Sequence, residues 1–257
     1  MTADQLLEDL LYDPALVPTD VDALLALGSA ANPGRLDPNR VLAAQKNPRL
    51  LAWLALDGPS LLLVNGGADA TSQSVSFVSA KVAHSLLLQD VARDGAVAPV
   101  PLAYFCGRHA DYRRDEAGAP DEMAISLLLQ LVDRYRGFEA RALQACLDRA
   151  VPHDVAAICD AFQGLLDELP SNVVVYLVID GLHSFATPPE RRGQMREVVE
   201  LLVGMYRRQS GAVLKFLFAG PTRSDLEELF EVGEIVDLPF NPPPQGGYGL
   251  SWWQNPL

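Results

Sequence analysis

The chain has 257 residues, 49% of them hydrophobic and 21% charged, which supplies a sizeable core and excludes a mainly disordered polypeptide. Its 33 acidic residues outnumber the 20 basic ones for a net charge of −13, so it lacks the basic stripe a nucleic-acid partner would require. No apolar run approaches the roughly 18–20 residues that cross a bilayer, so a membrane partner is not expected either.

The opening Met1-Thr2-Ala3-Asp4 lacks the basic-then-apolar layout of a signal peptide. Cys106, Cys146 and Cys159 form an odd, widely spaced set that suits a reducing compartment and makes neither a disulfide framework nor a zinc site. The expected location is intracellular, in cytoplasm or nucleus.

Residues 1–57 read as a small helical N-terminal segment. Leu6, Leu7, Leu10 and Leu11 recur at helical spacing until Pro14 and Pro18 break the pattern. Val21, Leu24, Leu25 and Leu27 predict a second short helix, ended by Gly28 or the Asn32-Pro33-Gly34 turn. A third helical stretch, 41–56, is interrupted at Asn47-Pro48, and Asp57-Gly58-Pro59 makes a turn.

Residues 58–239 then alternate. Strands are predicted at 61–64, 101–106, 173–179, 214–219 and 235–238. Helices are predicted at 74–89, 121–136, 154–169 and 193–208, with a short capped helix at 224–231. The run Val173 through Ile179 is apolar on both faces, which marks a central parallel strand. Such alternation implies right-handed crossovers and a three-layer α/β fold with helices on both faces of a parallel sheet. Residues 107–122 form a long polar loop. Residues 240–257 form a Pro/Gly/aromatic tail, in which Tyr248, Trp252 and Trp253 are candidate interaction residues. These rings either fold back on their own domain or anchor a partner, and an ordered tail is expected in both cases.

Ligands of open α/β sheets bind beyond the carboxyl ends of the strands. After the first strand stands Asn65-Gly66-Gly67-Ala68-Asp69-Ala70-Thr71-Ser72-Gln73, opening into a helix. A phosphate-binding loop, G-x-x-x-x-G-K-[ST], belongs at this place. Laid over it, Gly66 takes the first glycine, Thr71 the second, Ser72 the lysine and Gln73 the Ser/Thr, so one consensus position of four survives. After the third strand, Asp180 stands where an acid would hold Mg²⁺ through water, followed by Gly181-Leu182-His183-Ser184. Ser72, His183 and Asp180 contain the elements of a hydrolase triad, but G-x-S-x-G is absent. Histidines and cysteines share no ligand spacing, so no metal is expected unless Asp180 takes Mg²⁺. Arg113-Arg114 and Arg191-Arg192 read as solvated loop charges, and Arg223 either faces the cleft or caps the sheet end.

The layout resembles the NACHT-type P-loop NTPase domain of STAND proteins, in the form common in fungi. VVVYLVIDGLHSF (173–185) is similar to that family's second nucleotide motif, ordinarily an apolar strand followed by D-G-L-D-E. Residues 102–132 resemble its second strand, charged loop and L-x-x-Q-L helix, and LKFLFAGPTRS (214–224) its fourth strand and polar turn. The resemblance implies a strand order of 5-1-4-3-2 and a nucleotide site at Gly66, Gly67, Thr71, Ser72, Gln73, Asp180 and Arg223. Against it, no lysine occurs between Lys46 and Lys81, Asp69 brings a negative charge into the loop, and His183 and Ser184 replace two acids. The expectation is therefore a non-catalytic pseudo-NTPase without cofactor, acting as a protein-binding or regulatory module that engages a protein partner or itself. The alternative is a nucleotide switch or weak NTPase that uses ATP or GTP with Mg²⁺. In the pseudo-NTPase reading Asp180 is structural and bonds Thr71 or Ser72.

Overall fold

Five apolar runs pair into one parallel sheet: β1 (Ser60–Asn65), β2 (Pro99–Phe105), β3 (Val174–Asp180), β4 (Val213–Gly220) and β5 (Ile235–Asp237). The computed structural model describes residues 1–28, 36–90, 99–208 and 211–243. Tyr248, Trp252 and Trp253 lie outside the described residues. The order is β2-β3-β4-β1-β5, which counted from the β5 edge reads 5-1-4-3-2. Pro99 and Pro101 are tolerated because β2 is an edge strand, where a missing N–H breaks no ladder.

Register fixes the functional rim. Phe105 pairs with Asp180 and Asp180 with Ala219, while Asn65 pairs with both Gly220 and Asp237. The carboxyl ends of all five strands are therefore level, and the loops after them converge.

The two-residue period of the strands divides the core. Leu61, Leu63, Leu102, Tyr104, Leu177, Ile179, Phe216 and Phe218 face one helical layer. That layer contains α6 (Pro120–Arg134), α8 (Val155–Asp167) and α9 (Pro189–Arg208). Leu62, Val64, Ala103, Phe105, Val178, Leu217 and Ala219 face the other layer, built around α5 (Ser74–Asp90). The N-terminal helices complete both layers. Leu6 of α1 (Ala3–Asp9) is buried in the first core. The second core takes residues from α2 (Leu16–Leu25), α3 (Pro38–Gln45) and α4 (Pro48–Ala55). Trp53 also donates its indole N–H to the Phe216 carbonyl at 3.2 Å. Among the described residues no helix is long and apolar enough to cross a membrane.

Several local expectations need correction. Pro18 does not break a helix. It is the third residue of α2, where a backbone N–H has no intrahelical acceptor to lose. Helix α7 (Ala140–Arg149) is an element the sequence pattern did not predict; only its Leu143 and Cys146 are buried. Helix α9 begins at Pro189 rather than at Gly193. The helix expected at 224–231 is a turn followed by a single 3₁₀ turn, Glu227–Leu229. There the Ser224 N–H is drawn away to Asn65 Oδ1 at 3.0 Å, and the Ser224 hydroxyl accepts from Leu226 N.

Lys215, 1% exposed in β4, was not singled out by its sequence context. Its Nζ donates to the Leu54 and Leu56 carbonyls (3.2 and 2.5 Å) at the end of α4 and lies 5.1 Å from the Tyr176 ring centre. Burial lowers its pKa.

Candidate functional site

The loop that follows β1 is folded sideways onto the ends of β4 and β5. Gly66 donates its N–H to the Gly220 carbonyl and Ala68 donates to Pro221, both at 2.8 Å. A Cβ on Gly66 would lie 2.7 Å from the Pro221 oxygen, so the close approach requires glycine. Gly67 has φ +58, and a Cβ there would come within 2.1 Å of the Leu238 oxygen. From α3, Arg40 locks this arrangement. Its guanidinium donates to the carbonyls of Gly66, Pro239 (3.0 Å) and Phe240 (2.5 Å).

A phosphate-binding loop works by leaving its backbone N–H groups free to converge on an anion. Here the loop supplies the anion itself. Asp69 Oδ1 accepts the Thr71 N–H at 2.9 Å and the Thr71 hydroxyl at 2.5 Å, while the Asp69 carbonyl accepts the Ser72 N–H at 3.1 Å. The Thr71 hydroxyl, and then its N–H, hold the Asp69 pKa below the usual carboxylate value.

Asp180 ends β3 and is 1% exposed. Its partners are not Thr71 or Ser72, as the sequence suggested, but hydroxyls of α5. Ser79 Oγ lies 3.1 Å from Oδ1, and Ser76 also bonds the carboxyl. The correction has a simple cause: Thr71 is held by Asp69, whereas Ser76 and Ser79 lie one turn apart on the helix face that crosses above β3. Burial pushes the Asp180 pKa up to about 6, opposed by the two serine hydrogen bonds.

Asp180 lines a small cleft together with Ser72, Gln73, Ser76, Arg108 and His183, and Leu24 of α2 closes one side. The structure thus brings Ser72, Gln73 and Asp180 to one cavity. Gly66, Gly67 and Arg223 do not line it. Arg223 lies instead on a neighbouring hollow beyond β4, held by Glu227 through bonds of 2.6–2.8 Å. His183 borders both hollows. A backbone hydrogen bond to Ala70 holds its ring, Nδ1 has no hydrogen-bond partner among the described residues, and burial lowers its pKa.

These residues do not fit a magnesium nucleotide. The loop has no lysine, its Gly66, Ala68, Thr71 and Ser72 amides have acceptors within the fold, and the exposed carboxylate of Asp69 adds a negative charge to it.

The residues that tie the rim together carry no local signal in the sequence. Arg191 is not a solvated loop charge. It is 5% exposed, stacked 3.9 Å over Phe185, and donates to the carbonyls of His109 (2.9 Å), Ala110 and Ser184 (both 3.1 Å). His109, hidden in the polar loop, is buried between Asp20 and Asp115. The His109–Asp20 and Arg191–His109 contacts join residues 89 and 82 positions apart, and nothing local announces them.

Elsewhere, Asp121, Glu122 and His153 bring three possible ligand atoms within 4.8 Å of one another. The core of this set is an ion pair, His153 Nδ1 to Asp121 Oδ2 at 2.8 Å, at the α6 N-terminus, which favours acids without a cation. No protein-family model, curated protein or solved structure matches the chain.

Proposed function

We propose that this chain is a pseudo-NTPase: a P-loop domain of the NACHT/STAND type whose nucleotide site has become an internal structural joint. In this reading it acts as a protein-binding or regulatory module. One observation carries it. Asp69 accepts the N–H and hydroxyl of Thr71, so the loop's own carboxylate takes up donors that an anion at the entry to α5 would otherwise engage. The glycine contacts with β4 and β5, and Arg40 beneath them, support the same reading. A loop anchored in this way has no freedom to wrap a ligand.

The direct test is thermal unfolding in millimolar ATP or GTP with Mg²⁺. A ligand present at 100 times its dissociation constant adds about 2.7 kcal/mol, a shift of several degrees for a domain of this size. No shift is expected. A saturable rise with either nucleotide would establish the switch alternative instead. The protein-binding role rests on the tail aromatics Tyr248, Trp252 and Trp253, and deletion of residues 247–257 tests it. Loss of self-association or partner capture, with stability unchanged, is the expected result.

A further inference from the structure

His109 lies just beyond β2 and is 6% exposed. Both ring nitrogens face carboxylates: Nε2 is 2.7 Å from Asp20 Oδ2, and Nδ1 is 2.8 Å from Asp115 Oδ2. A neutral imidazole has one N–H and one lone pair and can serve only one of these acids. Only the imidazolium donates to both. Asp20 belongs to α2 and is 5% exposed, and its other oxygen lies 3.6 Å from Arg108 Nε. Asp115 and Arg108 belong to the loop after β2. The remaining groups at the ring are Tyr104 of β2, with ring centres 5.3 Å apart, and Arg191 of α9, bound to the His109 carbonyl. The same α2 helix places Leu24 on the wall of the cleft that holds Asp180 and His183.

We propose that α2 is a pH-tuned latch on the sheet-end cleft, tightest while His109 is an imidazolium bridging Asp20 to Asp115 and loosened when it loses its proton. Deprotonation sets a lone pair against a carboxylate oxygen less than 3 Å away. The neutral ring keeps one N–H and can hold only one acid, so the doubly charge-assisted bridge between α2 and the loop after β2 is weakened; Asp20–Arg108, 3.6 Å apart, still spans the two elements, and Asp115 retains the Ala117 N–H at 3.0 Å. Burial by itself lowers the His109 pKa, but the hydrogen bond and charge of Asp20, followed by those of Asp115, outweigh it and raise the pKa above 6.5. The sign follows. The imidazolium's contribution to the latch is fully present below the unfolded value and is lost as pH rises through the raised folded value. It requires no nucleotide and stands independently of the pseudo-NTPase proposal.

Hydrogen exchange on the full chain between about pH 6 and about pH 9, corrected for intrinsic rates, tests the latch. Protection of α2 is expected to fall about tenfold for each unit by which the His109 pKa is raised, while β3 and β4 keep theirs. Asp20→Asn should move both that step and the His109 imidazole NMR titration to lower pH. His109→Gln should abolish the step and leave α2 poorly protected throughout. Flat α2 protection in the wild type overturns the proposal, as does an unchanged step in His109→Gln. Should His109→Gln fail to fold, an unmoved midpoint in Asp20→Asn rejects it.

Discussion

Ser79 Oγ lies 3.1 Å from Asp180 Oδ1, so the acid that ends β3 is met by a hydroxyl of α5. A fully buried carboxyl in such company is more stable protonated, and burial accordingly raises its pKa from 3.8 to about 6. A raised acid contributes stability below its unfolded pKa and loses that contribution as pH rises through the folded value. Above about pH 6 the folded protein therefore carries a strain of up to roughly 3 kcal/mol, about two pKa units. Asp180→Asn, which keeps the shape and hydrogen bonding without the charge, should stabilise the chain at pH 8 by a sizeable part of that amount. At pH 4 it should gain nothing. Urea denaturation at both values reads the difference, and equal destabilisation at both would exclude this account of Asp180.

Gly67 provides a second test. Its φ of +58 suits glycine, and an added Cβ would meet the Leu238 oxygen at 2.1 Å, a backbone atom that cannot swing aside. Gly67→Ala should cost roughly 2–4 kcal/mol through strain and displacement of the loop. Gly58 is the control, because a Cβ there meets nothing within 4 Å and Gly58→Ala should change stability little. Similar losses in the two variants would show that the loop is not held against β5 as described.

The parallel sheet was legible because its signals are local. Val174 through Ile179 is apolar on both faces, Asp57-Gly58-Pro59 announces β1, and Asp154 caps α8 by accepting the Ala157 N–H at 3.0 Å. The place of the candidate site was legible for the same reason, since Gly66 and Asp180 stand directly at strand ends. What occupies that place was less readable. Asp69 was visible as a charge hostile to phosphate, but its bond to Thr71 depends on how the loop folds. Arg40 reaches Gly66 from 26 residues away and Phe240 from 200. His109 and Arg191 carry no periodicity, because each earns its burial from partners on other elements. Helix α7 was missed for a physical reason of another kind: it is a surface helix that buries little.

Arg40 should behave as the pin of the loop that follows β1. Arg40→Met preserves much of the buried stem but leaves the Gly66, Pro239 and Phe240 carbonyls without their donor. A loss of roughly 2–4 kcal/mol is expected in chemical denaturation. Arg40→Lys should recover only part of it, because an ammonium on a flexible stem does not reproduce the planar fork. Exchange of the Gly66 and Ala68 amides should accelerate in the methionine variant more than that of the β3 amides. A variant as stable as wild type, with those amides still protected, would show that the loop holds itself in place.

Without its own anion, the loop after β1 should take up an anion from solution. In the wild type the Asp69 carboxylate accepts from Thr71 N and Oγ1, and these donors stand at the entry to a 17-residue helix whose dipole favours negative charge there. Asp69→Ala removes the carboxylate and the repulsion it directs at incoming anions, and it frees the Thr71 donors. Inorganic phosphate should then bind the variant in the millimolar range and leave the wild type unaffected. At ten times the dissociation constant the variant should gain about 1.4 kcal/mol, roughly 3 °C in Tm. Sodium chloride at matched ionic strength controls for general screening. Adding Thr71→Val should weaken the new binding, because it removes the hydroxyl donor. If phosphate leaves the Asp69→Ala variant unmoved while the fold is intact, Asp69 is not what keeps anions out, and the glycine contacts with β4 and β5 alone would have to explain a closed loop.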